Sequence, residues 1–442
     1  MTCQDCHRLQ EENRRLAEEN LKLQQENEEL RRKLAAYENP HTPPSRRLIY
    51  PKPQHMTNGP RFPGRPRGHR GVTRPRPHPD TVVEPPRKER CEGCGLPLGE
   101  PCLVGHRIVE EVNNPAPRQV IDYLEYRYEC ASCGSCTTAR HSDCPPLGRL
   151  GKNALVQATL LKFQDRLPHR KVSEALERTY GLTVTPATVL NITSRVADWL
   201  RPEYLAVRDR IRVSPVVYTD ETGEKVDGTR HWLWCFTTDT DTLAVVRKSR
   251  GKRVLEETLG EGFDGVIVCD GWRSYPSFTD RIQRDWAHLL REAKYLAEEV
   301  DEAKPLRRAL YRLYRDLNTA LLEDPPPEER ARIAGRAKRR LRRWLGKEYR
   351  GVEVVRFVGK VRSGFDHWFT FVTVPGVEPT NNRAERALKE HVVQRKIIGT
   401  FRNGKGTRIY ETVMTLLATW KQRGLNPSKA MAESLTKAWT TS

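Results

Sequence analysis

The chain contains 442 residues, and with 77 Lys and Arg against 57 Asp and Glu it has a formal net charge of +20 at pH 7. Its length allows several domains with a substantial hydrophobic core, and its charge favours a polyanionic partner, nucleic acid above all. No apolar run approaches the roughly 20 residues that span a bilayer, and no apolar stretch follows the N-terminus as in an export signal. We therefore expect a cytoplasmic, nucleoid-associated protein with no membrane partner.

The first predicted element is a coiled-coil dimerisation helix over residues 1–39. Two rows of residues recur at a seven-residue step, the second four places after the first: Leu9, Leu16, Leu23 and Leu30, then Asn13, Asn20, Asn27 and Leu34. Leu at position d with Asn at position a is typical of a parallel two-stranded coiled coil, in which buried Asn pairs set the register. We therefore expect a homodimer. A single solvated helix is the alternative, because several Asn at position a make a weak core.

The second segment, residues 40–90, is rich in Pro and Arg and has no apolar periodicity. This composition predicts an extended basic linker. Within it, Arg65, Arg67 and Arg70 lie among glycines, a pattern that suits the narrow minor groove of A·T-rich DNA. Either these arginines bind DNA or they belong to a solvated tether.

Paired cysteines in residues 91–149 predict a zinc-binding module. The pairs are Cys91-x-x-Cys94 and Cys130-x-x-Cys133, and four thiolates make the closed tetrahedral set that structural Zn²⁺ prefers. An odd total of 11 cysteines in a reducing compartment also favours metal ligation over disulfides. Other residues compete as ligands, namely Cys102, Cys136, His141 and Cys144. Unligated buried thiols are the alternative.

Residues 150–210 have helical periodicity and a helix-turn-helix-like order. One amphipathic segment spans residues 171–180, Gly181 ends it, and Thr185 with Pro186 supplies the N-cap and first turn of a second segment. We expect a DNA-binding region whose second helix enters the major groove. The alternative is a helix pair that packs in a core and never touches DNA.

From residue 211 onward the pattern changes to strands around one helix. Short apolar runs predict strands at residues 216–219, 231–236, 243–246 and 266–269, with a helix at residues 252–259. This order predicts a mixed sheet with helical cover, as in the ribonuclease-H-like architecture.

Three acidic residues make up the candidate catalytic centre. Asp220 and Asp270 each follow an apolar run, and Glu385 lies in a helix-like segment. Each alone has an ordinary explanation, which is a turn for the aspartates and a capping box with Asn382 for Glu385. Together they offer the hard oxygen ligands that suit Mg²⁺. Two such ions about 3.5 to 4 Å apart support in-line displacement at phosphorus.

Several segments resemble the insertion sequence 66 family of transposases. They are residues 219–223, 231–234, 270–275, 286–288, 378–388, 394–399 and 402–406. The resemblance also covers the leucine repeat, the basic Gly-rich segment and the paired cysteines, and so nearly the whole chain. It implies a DDE transposase in which Asp220, Asp270 and Glu385 are the catalytic acids. Such enzymes hydrolyse a strand at each element end and join the freed 3′ hydroxyl to target DNA.

One departure from the family pattern affects two neighbouring residues. Leu290 stands where many relatives have a second basic residue, which leaves the roles of His288 and Arg291 open. Each is either a catalytic residue or one that packs or faces a phosphate.

The catalytic domain is expected to be divided by an insertion. Its parts are residues 211–288 and 352–425, separated by a helical insertion at residues 289–351 and followed by a C-terminal tail at residues 426–442. A basic run with an aromatic residue in the insertion, residues 338–344, either contacts the DNA backbone or forms a solvated face.

Basic residues that follow Glu385 are the candidate DNA contacts nearest the catalytic centre. They are Arg395, Lys396, Arg402 and Lys405. Because they share a segment with Glu385, they are well placed to hold DNA phosphates close to the metal ions.

These elements predict a multidomain α+β protein with a coiled coil, a zinc module, a helical DNA-binding region and a ribonuclease-H-like catalytic domain. The expected function is a DDE-type transposase that uses two Mg²⁺ ions and one structural zinc site. Its partners are element-end and target DNA, a second copy of the chain, and in some systems accessory transposition proteins. Two alternatives are a catalytically inactive dimeric DNA-binding regulator and a metal-dependent nuclease that cuts but never joins.

Overall fold

The computed structural model describes five stretches of the chain, residues 3–35, 120–121, 126–129, 136–139 and 143–440. They fall into two units, Met1–Ala116 and Pro117–Ser442, which are described separately. Several predicted features lie outside these stretches: the linker arginines Arg65, Arg67 and Arg70, and the predicted zinc ligands Cys91, Cys94, Cys130 and Cys133.

The described part of the first unit is one long helix, α1, at Cys3–Ala35. Three leucines of the predicted row lie on this helix, and Leu16, Leu23 and Leu30 are 50%, 50% and 49% exposed. The side-chain amide of Asn27 donates to the carbonyl of Leu23 at 3.1 Å, one turn earlier. The helix is confirmed, and dimerisation through this row stays a prediction.

The second unit begins with a short hairpin in the region predicted to bind zinc. Strand β1 at Tyr126–Glu129 pairs antiparallel with strand β2 at Cys136–Ala139. Cys130 and Cys133 fall between these two strands in the sequence and lie outside the described residues. Zinc binding stays a prediction.

A five-stranded mixed sheet forms the centre of the second unit, in the order β5-β4-β3-β6-β7. Its strands are β3 at Val216–Val226, β4 at Thr229–Thr237, β5 at Thr242–Arg247, β6 at Val266–Cys269 and β7 at Ile282–Arg284. Strand β4 pairs antiparallel with both β3 and β5, whereas β6 runs parallel to both β3 and β7. This mixed sheet fits the predicted ribonuclease-H-like core.

Helices cover the sheet and make up most of the second unit. Before and within the sheet they are α2 at Lys152–Phe163, α3 at His169–Tyr180, α4 at Pro186–Trp199, α5 at Arg201–Arg212 and α6 at Lys252–Leu259. After the sheet they are α7 at Trp286–Glu299, α8 at Ala303–Ala320, α9 at Pro327–Leu345, α10 at Val352–Ser363, α11 at Thr370–Thr373, α12 at Asn382–Ile398, α13 at Gly404–Gln422 and α14 at Pro427–Thr440.

The sheet separates two hydrophobic cores, as the alternation along β6 shows. Val266 and Val268 belong to one core, whereas Ile267 and Cys269 belong to the other, because successive side chains of a strand point to opposite faces. The first core contains α7 to α11, and the second contains α2 to α6 with most of α12 to α14. A strand buried on both faces requires a continuous apolar run, which the sequence supplies here.

Two strands differ from the predictions. The prediction that a strand ends at Asp220 is wrong, because β3 continues through Asp220 to Val226 in a hairpin with β4. The polar stretch after Asp220 hides this continuation, since cross-strand pairing rather than an apolar run maintains it. Strand β7 has three residues and no apolar pattern, and the sequence did not indicate it.

The helical layer is longer than the predicted insertion. It begins at Trp286, and α10 and α11, which follow residue 351, share their core with α7, α8 and α9. These five helices therefore lie between Asp270 and Glu385 in the chain and pack together on one face of the sheet.

The predicted helix pair α3–α4 is present with the expected connection. Gly181 ends α3 in the left-handed conformation at φ 62°, and the Thr185 side chain caps α4 by accepting from the backbone N–H of Thr188 at 3.2 Å. The buried face of α4 packs in the core, and its exposed face includes Leu190 and Asn191. Major-groove binding by α4 stays a prediction.

Candidate active site

Asp220, on β3, and Asp270, directly after β6, come from neighbouring parallel strands and interact electrostatically. The register pairs Tyr218 with Val268, and continuing it by two residues on each strand places Asp220 next to Asp270. Parallel strands lie about 4.8 Å apart, so this register brings the backbones of the two acids close together. Asp270 follows the last residue of β6, and one of its oxygens accepts from the backbone N–H of Trp272 at 2.8 Å.

Glu385 comes from the first turn of α12, and two hydrogen bonds tie the start of this helix to strand β3 and to helix α7. The side-chain amide of Asn381, which is 1% exposed, donates to the carbonyl of Thr219 at 2.8 Å. The backbone N–H of Trp286, at the start of α7, donates to the carbonyl of Pro379 at 3.0 Å. These contacts hold the start of α12 against the strand that carries Asp220.

The hydrogen bond from Asn381 also explains why the predicted capping box does not form. Asn381, not Asn382, is the N-cap residue of α12, and no side chain caps this helix. The Asn381 side chain is turned toward β3 instead, where it bonds the carbonyl of Thr219. Glu385 therefore takes no part in a reciprocal cap and is 32% exposed.

The pKa of Asp220 depends in part on the charges of the other two predicted acids. Burial, followed by the negative charges of Glu221, Asp270 and Glu385, raises the pKa of Asp220 well above its usual range. A hydrogen bond from the Glu221 backbone N–H at 2.9 Å opposes this increase in the pKa. Among the described residues, no Lys or Arg forms an ion pair with Asp220 or Asp270. The crowded negative charge at this point is thus available to a cation.

A buried acid next to Asp220 has a separate, structural role that the sequence did not indicate. The Glu221 side chain is fully buried, and it accepts from Arg250 Nε at 2.7 Å and from the Tyr275 hydroxyl. The Arg250 guanidinium lies 4.6 Å from the ring centre of Trp232 and 3.9 Å from that of Trp272. This cluster fixes the loop after Asp270 onto the strand that carries Asp220.

A second group of ligand atoms surrounds Glu385. The side chains of Asp285, His288 and Glu385 each carry an atom of a type that can bind metal ions, and these atoms all lie within 4.8 Å of one another. Among the residues that the structure describes, no such tight group contains Asp220 or Asp270. Burial by itself lowers the pKa of His288, but the hydrogen bond with Asp285 and the charges of Asp285 and Glu385 raise it above the ordinary value.

The basic residues predicted to bind DNA divide into two groups. Arg395 contacts strand β3, because its guanidinium donates to the Gly223 carbonyl and lies 4.0 Å from a carboxylate oxygen of Glu224. By contrast Lys396, Arg402 and Lys405 are exposed. Arg395 therefore anchors the end of α12, and the other three face outward.

The basic run of the insertion is also partly engaged within the protein. Lys338 donates to Asp366 at 2.8 Å, and Arg340 donates to Asp316 at 2.9 Å. Arg342 lies 4.9 Å from the ring centre of Phe365. Arg339 and Arg343, on the same helix α9, are exposed.

Within the described part of the chain, no helix has the length and apolar character that crossing a membrane requires.

Comparisons with known proteins agree with the resemblance seen in the sequence. The chain is 24% identical over 404 residues to the uncharacterized protein y4jD of Sinorhizobium fredii (strain NBRC 101917 / NGR234). This alignment covers 81% of this chain and 76% of that protein. It is 23% identical over 320 residues to the uncharacterized protein y4qI of the same strain, which covers 64% of this chain and 58% of that protein. The family model described as Transposase IS66 family matches residues 148–409, which is more than half of the chain. The chain therefore belongs to the IS66 family of transposases.

Proposed function

We propose that this transposase hydrolyses a phosphodiester at each end of its element and joins the freed 3′ hydroxyl to target DNA, with Asp220, Asp270 and Glu385 as catalytic acids. The observation that carries the proposal is the parallel register of β3 and β6, whose continuation by two residues supports a position of Asp220 beside Asp270. The hydrogen bond from Asn381 to Thr219 supports the placement of Glu385 near this pair.

The residues at this point fit divalent cations of the Mg²⁺ type. Carboxylate oxygens are the hard ligands that Mg²⁺ prefers. Burial, and after it the negative charges of Glu221, Asp270 and Glu385, raises the pKa of Asp220, and a bound cation would offset both effects. When bound there, two Mg²⁺ ions would supply Lewis-acid activation of the attacking oxygen and stabilise the leaving oxygen. The chain's own part is to orient the acids, which the contacts of Glu221, Arg250 and Asn381 support.

DNA contacts near this centre would use exposed basic side chains. Lys396, Arg402 and Lys405 follow Glu385 in the chain, and none of the three has an acidic partner among the described ion pairs. Lys405 lies in the first turn of α13, where the helix dipole favours phosphate. The linker residues Arg65, Arg67 and Arg70 would add contacts in the minor groove.

Two further properties belong to the same proposal. The pairs Cys91-x-x-Cys94 and Cys130-x-x-Cys133 would hold a structural Zn²⁺ ion, because four thiolates suit its tetrahedral geometry. Helix α1 would pair with a second copy through Leu16, Leu23 and Leu30, whose apolar surface is half exposed in the single chain.

Incubating the full chain with element-end DNA, target DNA and Mg²⁺ tests the proposed reaction. Joined products are expected. Bound but intact DNA would favour a regulator, and nicks without joining would favour a nuclease. Asp270→Asn should abolish nicking and joining while leaving binding nearly unchanged, whereas Asp280→Asn, at an exposed position, is the matched control and should keep both. If Asp270→Asn still joins strands, Asp270 is not a catalytic residue.

A further inference from the structure

The side chain of His288 lies between two carboxylates. Its Nδ1 is hydrogen-bonded to an oxygen of Asp285, and its Nε2 lies 3.4 Å from Glu385 Oε1. The three residues are brought together because α7 begins after Asp285 and its first N–H bonds the carbonyl of Pro379, just before α12. The histidine is 20% exposed, so a small solute can reach this point.

Asp285 supports His288 rather than offering a ligand of its own. Its side chain is fully buried, one oxygen accepts from the Ala287 N–H at 2.7 Å as the cap of α7, and the other is used by His288. A carboxylate only accepts, so Nδ1 of the histidine is the donor in that bond. The remaining nitrogen, Nε2, is directed toward Glu385. A carboxylate that orients a histidine in this way is the usual second partner of a metal-binding histidine.

We propose that His288 Nε2 and Glu385 together bind one divalent transition-metal ion, with Asp285 as the positioning residue. The inference rests on the proposed function only in sharing Glu385, and it adds a nitrogen ligand to a centre otherwise made of oxygen ligands. An imidazole ligand suits transition metals better than it suits Mg²⁺ or Ca²⁺. The site would therefore bind Mn²⁺ in preference to Mg²⁺.

The distance between Nε2 and Glu385 favours a shared ion over a direct ion pair. Hydrogen bonds between a charged nitrogen and a carboxylate are about 2.7 to 2.9 Å long, and the observed separation is 3.4 Å. Two adjacent ligand atoms, each about 2.1 Å from one ion, lie roughly 3 Å apart or slightly more. The observed separation thus suits two ligands of the same ion.

Pulsed electron paramagnetic resonance of the full chain loaded with Mn²⁺ tests this assignment directly. The expected result is hyperfine modulation from one directly bound nitrogen. His288→Gln should remove the nitrogen signal and weaken Mn²⁺ binding by at least about tenfold, and Asp285→Asn should weaken it by about 10- to 100-fold. His231→Gln, on strand β4, is the matched control and should change neither quantity.

The wild-type spectrum decides the question even where a variant fails to fold. Mn²⁺ bound without a nitrogen signal, a nitrogen signal that persists in folded His288→Gln, or no Mn²⁺ binding would each overturn the inference. The strand-joining assay with Mg²⁺ separates this outcome from the proposed reaction. Joining without a nitrogen signal refutes only the histidine ligand, whereas a nitrogen signal without DNA cutting or joining refutes only the reaction.

Discussion

The side-chain amide of Asn381 bonds the backbone carbonyl of Thr219 at 2.8 Å, and this contact joins the helix that carries Glu385 to the strand that carries Asp220. The two residues are far apart in sequence, yet Thr219 directly precedes Asp220 on β3, and Asn381 directly precedes α12, which carries Glu385. The bond is buried, so water cannot replace it if the amide is removed.

Asn381→Ala is expected to reduce strand cleavage by at least tenfold and to lower the free energy of unfolding by roughly 1–3 kcal/mol, because a buried carbonyl loses its donor. Urea unfolding and single-turnover cleavage of element-end DNA measure the two effects. Asn382→Ala is the matched control, since Asn382 is half-buried and takes no part in the bond. Equal behaviour of the two variants would show that the contact does not position Glu385.

Arg250→Ala is expected to destabilise the protein more than other arginine replacements nearby. It leaves the buried charge of Glu221 without its ionic partner and empties the space between Trp232 and Trp272. Breaking a buried pair typically costs 3–5 kcal/mol, and because Arg250 is partly exposed we expect roughly 2–4 kcal/mol in urea unfolding.

Two further variants make the Arg250 experiment decisive. Arg250→Lys keeps the charge but not the flat guanidinium that stacks between the two indoles, so an intermediate loss of stability is expected. Arg253→Ala, on the exposed face of α6, should cost no more than about 0.5 kcal/mol. A similar small loss for Arg250→Ala would contradict the structural role of this cluster.

The sequence predicts most clearly those elements whose pattern is local. The apolar run at β6 and the amphipathic period of α6 predict both elements with their observed bounds. The continuation of β3 beyond Asp220 and the existence of β7 depend on pairing with distant strands, so no local pattern marks them. Propensity cannot indicate pairing of this kind.

The same distinction holds for the candidate site. Asp220 and Asp270 are indicated by their positions next to apolar runs, and Glu385 by its motif. The contact of His288 with Glu385 is not indicated, because it depends on how α7 and α12 pack. The pairing of Glu221 with Arg250 is not indicated either. The signal that could have drawn attention to Glu221 is that a second acid directly follows Asp220.

The stability of the protein is expected to fall as the pH decreases from about 6.5 to 4, in part because of His391. Burial lowers the pKa of His391 from 6.5 to about 4 in the folded chain. The unfolded chain therefore binds a proton in this pH window that the folded chain does not. The contribution of the buried, neutral His391 to the free energy of unfolding is complete above pH 6.5. It decreases by roughly 3 kcal/mol as the pH reaches about 4.

Urea unfolding at several pH values, with His391→Gln as the test variant, measures this contribution. The variant lacks the titrating group, so the slope between pH 6.5 and 4 should be smaller than in the wild type. Tyr410→Phe removes the 2.8 Å hydrogen bond between the two side chains but keeps His391 buried, and it should retain the slope. An unchanged slope in His391→Gln would assign the pH dependence to other groups.

Zinc removal is expected to affect the region before residue 150 and leave the sheet folded. The purified full chain should contain one Zn²⁺ per chain by elemental analysis, and Cys91→Ser combined with Cys130→Ser should lose it, because two of four thiolates are then absent. Cys235→Ala is the matched control, since Cys235 is a buried free thiol on strand β4, outside the region predicted to bind zinc. Full zinc content in the double variant would assign the metal to other cysteines or to His141.

The half-exposed leucines of α1 predict how the oligomeric state responds to substitution. Replacing Leu16, Leu23 and Leu30 together by Ala removes the proposed apolar seam, and analytical ultracentrifugation should then show a monomer where the wild type is a dimer. Leu21 is 58% exposed on the same helix but does not belong to the seven-residue row, so Leu21→Ala should remain dimeric. A wild-type chain that sediments as a monomer at micromolar concentration, or a triple variant that stays dimeric, would show that this row does not mediate assembly.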